Sequence, residues 1–497
     1  FTSILNMLDL ADIPLHSADR TGLTPLVIAG GTAMYNPEPI ADFIDIVSLG
    51  EGEDVTAELI ELHRKARREG WSKADFLRRA AQVPGLYVPS LYDVEYNPDG
   101  TVKAIIPRDG APKVVRKRIV KDMDKSYYPT KTIVPSTEIV QDRVTLELFR
   151  GCIRGCRFCQ AGFSCRPVRK KSPEVLYNQA VKLLESSGFN EITLSSLSTS
   201  DYRGLKELTD KMLPYCEANH ISLSVPSLRA DNFSRELMEK LQAVRKSGLT
   251  FAPEAGTKRL RDVINKNLTE EEILSTCTQA FAGGWNSVKL YFMLGLPTET
   301  DEDVLGIAEL VYKVILAWKE HAVNKKRGLR VHVATAYFVP KPHTPFQWEQ
   351  QISPQEYLRR CKLLKEHFYS KSIEYDYHSP DLSRLEAVFA RGDRRLGPVI
   401  EAAVNMGARL DGWDEYFRYD IWQEAFQKCG VDPNFYTVRG YGEEELLPWD
   451  MIDVGVTKKF LLRERKRAYA DTVTPDCRKG CAGCGANCLL KEVACDA

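Results

Sequence analysis

Apolar and polar positions change rhythm along the chain, and each change marks an element. Ile4, Leu5, Leu8 and Leu10 repeat at helical spacing. A short apolar run from Pro25 to Ala29 then ends in Gly30-Gly31, a helical stretch covers Pro37 to Phe43, and a second apolar run from Ile44 to Leu49 leaves through Gly50-Glu-Gly-Glu53. Strand, glycine turn, helix, strand, glycine turn and helix is the second half of a doubly wound parallel sheet. Residues 1–70 are too few to close such a sheet alone. From Pro84 to Tyr128 proline, tyrosine and β-branched residues dominate, and Asn97-Pro-Asp-Gly100 supplies a turn, so 71–140 reads as a connector with a hairpin. Its charge run, Lys113, Arg116, Lys117 and Arg118, is expected on a solvated strand edge.

From 141 to 378 six strand-like runs alternate with helical ones: Val144–Phe149, Glu191–Ser195, Ile221–Val225, Leu249–Pro253, Ser287–Met293 and Val331–Val339. Ser172 with Pro173, and Thr269 with Glu272, start helices between them. Six βα units in order imply parallel strands curling into a partial (βα)6 barrel, whose chemistry belongs at the C-terminal strand ends. Residues 379–497 read as a helical region with a Gly- and Cys-rich tail. The fold class is α/β.

Composition narrows the class. Of 497 residues 43% are apolar and 27% charged, as in globular proteins. Lysine plus arginine, 68, equals aspartate plus glutamate, so a nucleic-acid or membrane partner would need a local patch. The most apolar helical stretch, Leu305 to Trp318, is interrupted by Glu309 and Lys313, which leaves no bilayer span. Thirteen cysteines, seven of them in two tight groups, read as metal or cluster ligands in a reducing cytoplasm rather than as disulfides. The opening at Phe1, inside a helical pattern, suggests an incomplete N-terminus.

The first cysteine group, Gly151-Cys152-Ile-Arg-Gly-Cys156-Arg-Phe158-Cys159, follows the first barrel strand. Thiolates spaced C-x3-C-x2-C can each take one iron of a four-iron cluster and leave the fourth iron open. Structural zinc asks for a fourth protein ligand, and Cys165 lies six residues on, off any matching spacing. The second group, Cys477, Cys481, Cys484 and Cys488, has the four thiols of a closed site and suits a second 4Fe-4S cluster or zinc.

The first group, with an aromatic before its third cysteine, resembles the signature of the radical S-adenosylmethionine (radical SAM) superfamily. That resemblance implies a 4Fe-4S cluster on Cys152, Cys156 and Cys159, SAM on the open iron, and reductive cleavage to a 5′-deoxyadenosyl radical. It implies that Phe158 packs near the adenine and the cluster. The usual Gly-Gly-Glu-like turn after the second strand is replaced by Ser195-Ser196-Leu197-Ser198, where Ser195 offers a hydroxyl and a carbonyl for the methionyl amine. Ser227 and Arg229 stand where ribose and carboxylate contacts are found. Lys266 reads either as the cation that pairs the SAM carboxylate or as a surface lysine. Met293 and Gly295, in a Gly-x-Pro turn, would read the base through their backbone. His343 is expected to be a loop residue rather than a catalyst.

The glycine pair Gly30-Gly31 resembles the edge of a cobalamin-binding domain, and the whole layout resembles an uncharacterised bacterial family of cobalamin-domain radical SAM proteins. The resemblance implies methyl or sulfur-group transfer to RNA or protein, a flavodoxin- or ferredoxin-like electron donor and a small partner domain, with cobalamin as a possible further cofactor. Two other readings stay open from the sequence: a metal-stabilised RNA- or protein-binding module, and an iron-sulfur redox sensor. Arg391, Asp393, Arg394 and Arg395 could face the barrel mouth or form a salt-bridged helix start. The basic run Lys458, Lys459, Arg463, Arg465, Lys466 and Arg467 suits phosphates or a solvated helix face.

Overall fold

The computed structural model describes residues 1–225 and 249–490. At the N-terminus helix α1 (Thr2–Leu10) precedes a small sheet of β1 (Ile28–Gly30) and β2 (Ile46–Ser48). These pair in parallel, with Ile28 opposite Ile46 and Gly30 opposite Ser48, as the glycine-ended runs imply. Between them Glu38–Phe43 is a 3₁₀ helix, begun by the Ile40 N–H donating to Pro37 O at 3.0 Å, with Pro39 in the first turn, where no amide donor is needed. Helix α2 (Gly52–Glu69) starts with Glu53 and Asp54, ends with Arg67 and Arg68, and stops at left-handed Gly70, each choice matching its dipole or its cap. After α3 (Lys73–Ala80), strand β3 (Leu86–Tyr87) adds antiparallel to β2.

The connector contains the expected hairpin, β4 (Tyr92–Tyr96) with β5 (Val102–Pro107), closed by Gly100 N–H donating to Asn97 O at 2.9 Å. The charge run after it departs from expectation. Strand β6 (Val115–Arg116) pairs in parallel with β16 (Ile452–Asp453), so it is no free edge. Alternation then points Arg116 and Arg118 outward to Asp453 and Glu58, while Lys117 turns inward and is 3% exposed. Its ammonium donates to the carbonyls of Ser164 and Arg166, the latter at 2.7 Å, and burial pushes its pKa down to about 8.

All six barrel runs are strands. The first is β7 (Val144–Glu147), continued by β8 (Phe149–Arg150), which pairs antiparallel with β9 (Arg169–Lys170). Next come β10 (Glu191–Ser195), β11 (Ser222–Ser224), β12 (Leu249–Glu254), β13 (Ser287–Leu294) and β14 (Arg330–Tyr337). A strand not foreseen, β15 (Ile373–Tyr377), runs parallel to β14. The parallel orders are β11-β10-β7 and β12-β13-β14-β15.

Helices α4 (Gln160–Ser164), α5 (Pro173–Ser187), α6 (Leu205–Ala218), α7 (Lys258–Val263), α8 (Glu270–Ala282), α9 (Asp301–His321) and α10 (Pro354–Glu366) separate the strands. Leu146 and Leu194 pack on Leu176, Leu183 and Leu208, and Leu290 and Val333 pack on Ile307 and Val311. The strand residues of opposite parity, among them Glu147, Ser195, Tyr291 and Met293, therefore turn away from the helices.

Helices α11 (Pro380–Arg391), α12 (Leu396–Asn405), α13 (Tyr419–Cys429) and α14 (Lys458–Tyr469) form the C-terminal region. Its Ile400, Trp422 and Trp449 share one core with Phe43, Phe76 and Tyr87 of the N-terminal unit. Arg394 joins the two parts: its Nε meets buried Glu38 at 2.6 Å and its Nη2 donates to Tyr87 at 2.9 Å. Arg395 pairs with Asp393, and Arg391 donates to the carbonyls of Thr437 and Arg439, so this run is a salt-bridged helix junction. The later basic run is largely structural too, with Arg465 on Glu349 and Glu443, and Arg467 on Glu464.

Candidate functional site

The first cysteine group sits where β8 ends. Gly151, at φ 88°, lets the chain turn there against the carbonyls of Pro167 and Cys165. Cys152 and Cys156 lie in the loop that follows, and Cys159 caps α4, its sulfur accepting the Gly162 N–H at 3.3 Å. The three thiols feel one another electrostatically. Burial, followed by the charge of Cys156, pushes Cys152 up to about 11 and Cys159 up to about 12. Among the described residues no three Cys, His, Asp or Glu side chains converge as a single metal ion requires. Cubane ligands need not converge, since each thiolate takes a different iron.

Arginines hold this loop. Arg154 forks onto Asp201 at 2.6 and 2.9 Å. Arg157, fully buried, reaches Glu464 at 3.3 Å, Val263 O at 2.8 Å and Thr472 O at 2.7 Å. Arg166 donates to Gly162 O and Arg154 O, both at 2.8 Å.

Phe158 and Met293 pack against one apolar cluster formed by Ala255, Leu260, Ile264, Leu296 and Phe338. The fold thus brings together two residues 135 positions apart that the motif reading had placed at one ligand. Two residues after Met293, the Gly295 N–H donates to Glu299 at 2.7 Å. Burial raises the Glu299 carboxyl to about 7 against the opposing charge of Arg360. Lys266 pairs with Glu254 at 3.0 Å and exerts its charge on Cys159, which places it at the cluster loop and not on open surface.

Glu254 was missed by sequence reasoning. It ends β12 after a register shift, at φ 69°, a backbone state that costs about 1–3 kcal/mol for a non-glycine residue. The available signal was a carboxylate between Pro253 and the Ala255-Gly256 turn at a barrel strand end.

Flanking Lys266, Asn265 and Asn267 both adopt left-handed backbone. Asn265 donates to Gly155 O at 3.0 Å and accepts the Thr474 N–H at 2.8 Å, while Asn267 donates to Thr474 O at 3.0 Å. The C-terminal tail is thereby strapped over the cluster loop. Cys477 N–H continues the strap by donating to Ile153 O at 3.2 Å. Of the second cysteine group, Cys477 and Cys484 are half-buried and Cys481 and Cys488 exposed.

Ser195 O accepts the Leu148 N–H at 3.0 Å. With Gly31, Tyr35, Glu147, Gly151 and Cys165, Ser195 lines a cavity of about 340 Å³ between the N-terminal sheet and the barrel mouth. Gly30 ends β1, and Gly31, the next residue, lines the cavity. His343 is buried beside it with Nε2 2.9 Å from Tyr35 O, and burial lowers its pKa to about 4, so it stays neutral as a loop residue. Ser227 and Arg229 lie outside the described residues.

Residues 146–311 match the family model for the radical SAM superfamily, and residues 1–89 match the model described as radical SAM proteins, N-terminal. The chain belongs to the radical SAM superfamily. It is 29% identical to an uncharacterised protein of Methanocaldococcus jannaschii over 82% of this chain and 80% of that protein. Another relative, the tRNA-2-methylthio-N(6)-dimethylallyladenosine synthase of Ehrlichia canis, is 23% identical over 51% of this chain and 57% of that protein. Among solved structures, the radical SAM methyltransferase TsrM of Kitasatospora setae, with cobalamin and a 4Fe-4S cluster bound, is similar at TM-score 0.43 and 14% identity, over 65% of this chain and 59% of that one. As a radical SAM enzyme the protein uses a 4Fe-4S cluster and SAM. Among the described residues no helix is long and apolar enough to cross a membrane.

Proposed function

We propose that Cys152, Cys156 and Cys159 hold the cluster, that SAM lies between the cluster loop and the strand ends of β12 and β13, and that the enzyme transfers a methyl or sulfur group to RNA or protein. The observation that carries the SAM placement is the shared apolar cluster of Phe158 and Met293 beside three closely spaced thiols, Cys156 buried and Cys152 and Cys159 half-buried. The donor set fits an iron-sulfur cluster: sulfur only, buried or half-buried, with the positive Lys266 nearby to offset thiolate charge.

When bound, the reduced cluster and SAM supply a carbon-centred radical, and the protein supplies position and dryness. Lys266 offers its ammonium to the methionyl carboxylate. Glu254, its present partner, is then free to accept from a ligand hydroxyl or ammonium group. The backbone of Met293 and Gly295 faces the base, and Glu299 fixes that turn by holding the Gly295 amide. Arg154, Arg157 and Arg166 keep the loop closed against water.

Group transfer to a macromolecule is supported by the methylthiotransferase names among the relatives. A flavodoxin- or ferredoxin-like donor would supply the electron. Of the glycine pair, Gly31 opens on the nucleoside-sized cavity, which a corrin would have to widen. Cys477, Cys481, Cys484 and Cys488 are proposed as ligands of a second cluster or of zinc.

The test is anaerobic. With reconstituted protein, SAM and a strong one-electron reductant, 5′-deoxyadenosine should form with the parent and be lost with Cys156→Ala. Equal product from both would sink the assignment of the loop.

A further inference from the structure

We propose that the segment Val115–Val120 is the wall between two halves of an RNA site: a basic groove that carries backbone phosphates, and the interdomain cavity that takes one extruded base beside the cluster loop. This rests on the macromolecular group-transfer reading and narrows its substrate to RNA.

The groove holds about 560 Å³ and is lined by the cations Arg116, Arg118, Lys121 and Lys125, with the backbone of inward-turned Lys117 behind them, against two carboxylates, Asp54 and Asp122. In a chain whose charges cancel, this is the local patch that a nucleic-acid partner requires. Arg116, Arg118 and Lys125 pair with Asp453, Glu58 and Asp122 at 2.7, 2.5 and 3.1 Å. Such surface pairs have small net strength, and a phosphate can replace their carboxylates.

Lys117 and Ile119 line both spaces, so the groove and the cavity adjoin through one strand's thickness of backbone. The cavity differs in chemistry. Tyr35 and Phe149 line it, aromatic residues of the kind on which unstacked bases rest, and Thr32 and Ser195 add hydroxyls. Its carboxylates are already engaged: Arg150 holds Glu51 at 3.0 Å and Glu147 at 2.9 Å. What remains suits a neutral, flat, hydrogen-bonding ligand. About 340 Å³ accommodates one nucleoside, and Gly151, the residue before Cys152, is part of the lining. An enzyme that acts on a base inside a folded RNA must take that base out of its stack, and a phosphate track leading to a single-base cavity meets that need.

Binding of a short fluorescein-labelled single-stranded RNA of mixed sequence to the reconstituted protein, followed by anisotropy across a salt series, tests this. The parent should bind with affinity falling as salt rises. Lys121→Glu/Lys125→Glu should weaken binding at least about ten-fold and flatten the log–log salt slope by about 1.4, two phosphate contacts at about 0.7 each. Tyr35→Ala should weaken binding about ten-fold with the slope unchanged, since stacking is not ionic. RNA binding unchanged in the double variant would overturn the groove, and binding unchanged in Tyr35→Ala would overturn the cavity. No RNA binding, or capture of an acidic peptide in its place with the same salt slope, would overturn RNA as the substrate. 5′-Deoxyadenosine formation by the parent, measured without RNA, separates these failures from failure of the radical SAM reading itself.

Discussion

The side-chain amide of Asn265 donates to the carbonyl of Gly155 at 3.0 Å, and through that bond the turn carrying Lys266 is tied to the middle of the cluster loop. Asn265 is 1% exposed, sits at φ 54°, and also accepts the Thr474 amide of the tail. One buried side chain therefore ties together the cysteine loop, the turn that carries Lys266 and the C-terminal strap.

Asn265→Gly keeps the left-handed backbone and removes both side-chain bonds. We expect the purified variant to retain its iron but to bind SAM about ten-fold more weakly, because Lys266 is no longer held against the loop; the two lost bonds are worth about 1–3 kcal/mol each at a buried site. Iron analysis and calorimetric titration with SAM check this. Loss of iron in proportion to SAM affinity would show that Asn265 holds the cluster alone.

Arg157 is fully buried, and its carboxylate partner Glu464 is 2% exposed. Removing Arg157 takes from the buried Glu464 carboxylate one of its two closest cations and leaves it on Arg467 at 3.4 Å and the Thr474 hydroxyl at 2.7 Å. Arg157→Met should destabilise the protein by about 3–5 kcal/mol, while Arg157→Met with Glu464→Leu should recover part of that loss. Denaturation of the two variants and of Glu464→Leu alone gives the coupling directly. Strict additivity would refute the pair as a single unit.

Much of the barrel was legible because its helices and strands obey simple rules: the Ser172-Pro173 and Thr269–Glu272 starts form caps as written, and all six apolar runs are strands. Strand β15 was not, since Ile-Glu-Tyr-Asp-Tyr is half-exposed and charged at alternate positions, and only its pairing with β14 makes it a strand. The cysteine loop was legible from spacing alone. Asn265 and the strap were not, because their roles depend on contacts across more than a hundred residues of sequence, Asn265 with Gly155 and with Thr474, and Glu254 was not, because its pairing with Lys266 depends on how the chain turns after β12. Lys117 was misread because its partners, the carbonyls of Ser164 and Arg166, lie outside the local charge run.

Asp45 is a pH-sensitive anchor of the N-terminal unit. Its buried carboxylate accepts from Ser17 at 2.5 Å, Arg20 at 3.0 Å and the Val27 amide at 2.7 Å, and pairs with Lys73 at 2.7 Å. Burial opposes the charge, but these donors together hold the carboxyl below its ordinary value. A depressed carboxyl stabilises the fold above the unfolded value of about 3.9, and the contribution is lost as pH falls through the folded value. Thermal scans below about pH 4 should therefore show a steep loss in the parent. Asp45→Asn should be less stable at neutral pH and show a shallower loss; an identical acid profile would remove Asp45 as the anchor.

Gly151 is a point of the cysteine loop closed in by backbone. A Cβ there would lie 2.8 Å from Pro167 O and 3.0 Å from Cys165 O, at φ 88°, so neither the space nor the backbone admits a side chain. Both obstacles are backbone atoms that no rotamer change can move. Gly151→Ala must displace Cys152 or unseat the Cys165–Pro167 segment on which Lys117 rests. We expect the variant to fold, because the sheet cores below are untouched, but to lose most of its iron and its 5′-deoxyadenosine formation. Iron and sulfide analysis after reconstitution, with circular dichroism to verify the fold, decides it. Full cluster occupancy would mean that the loop tolerates the shift and that the position of Cys152 is less constrained than its surroundings imply.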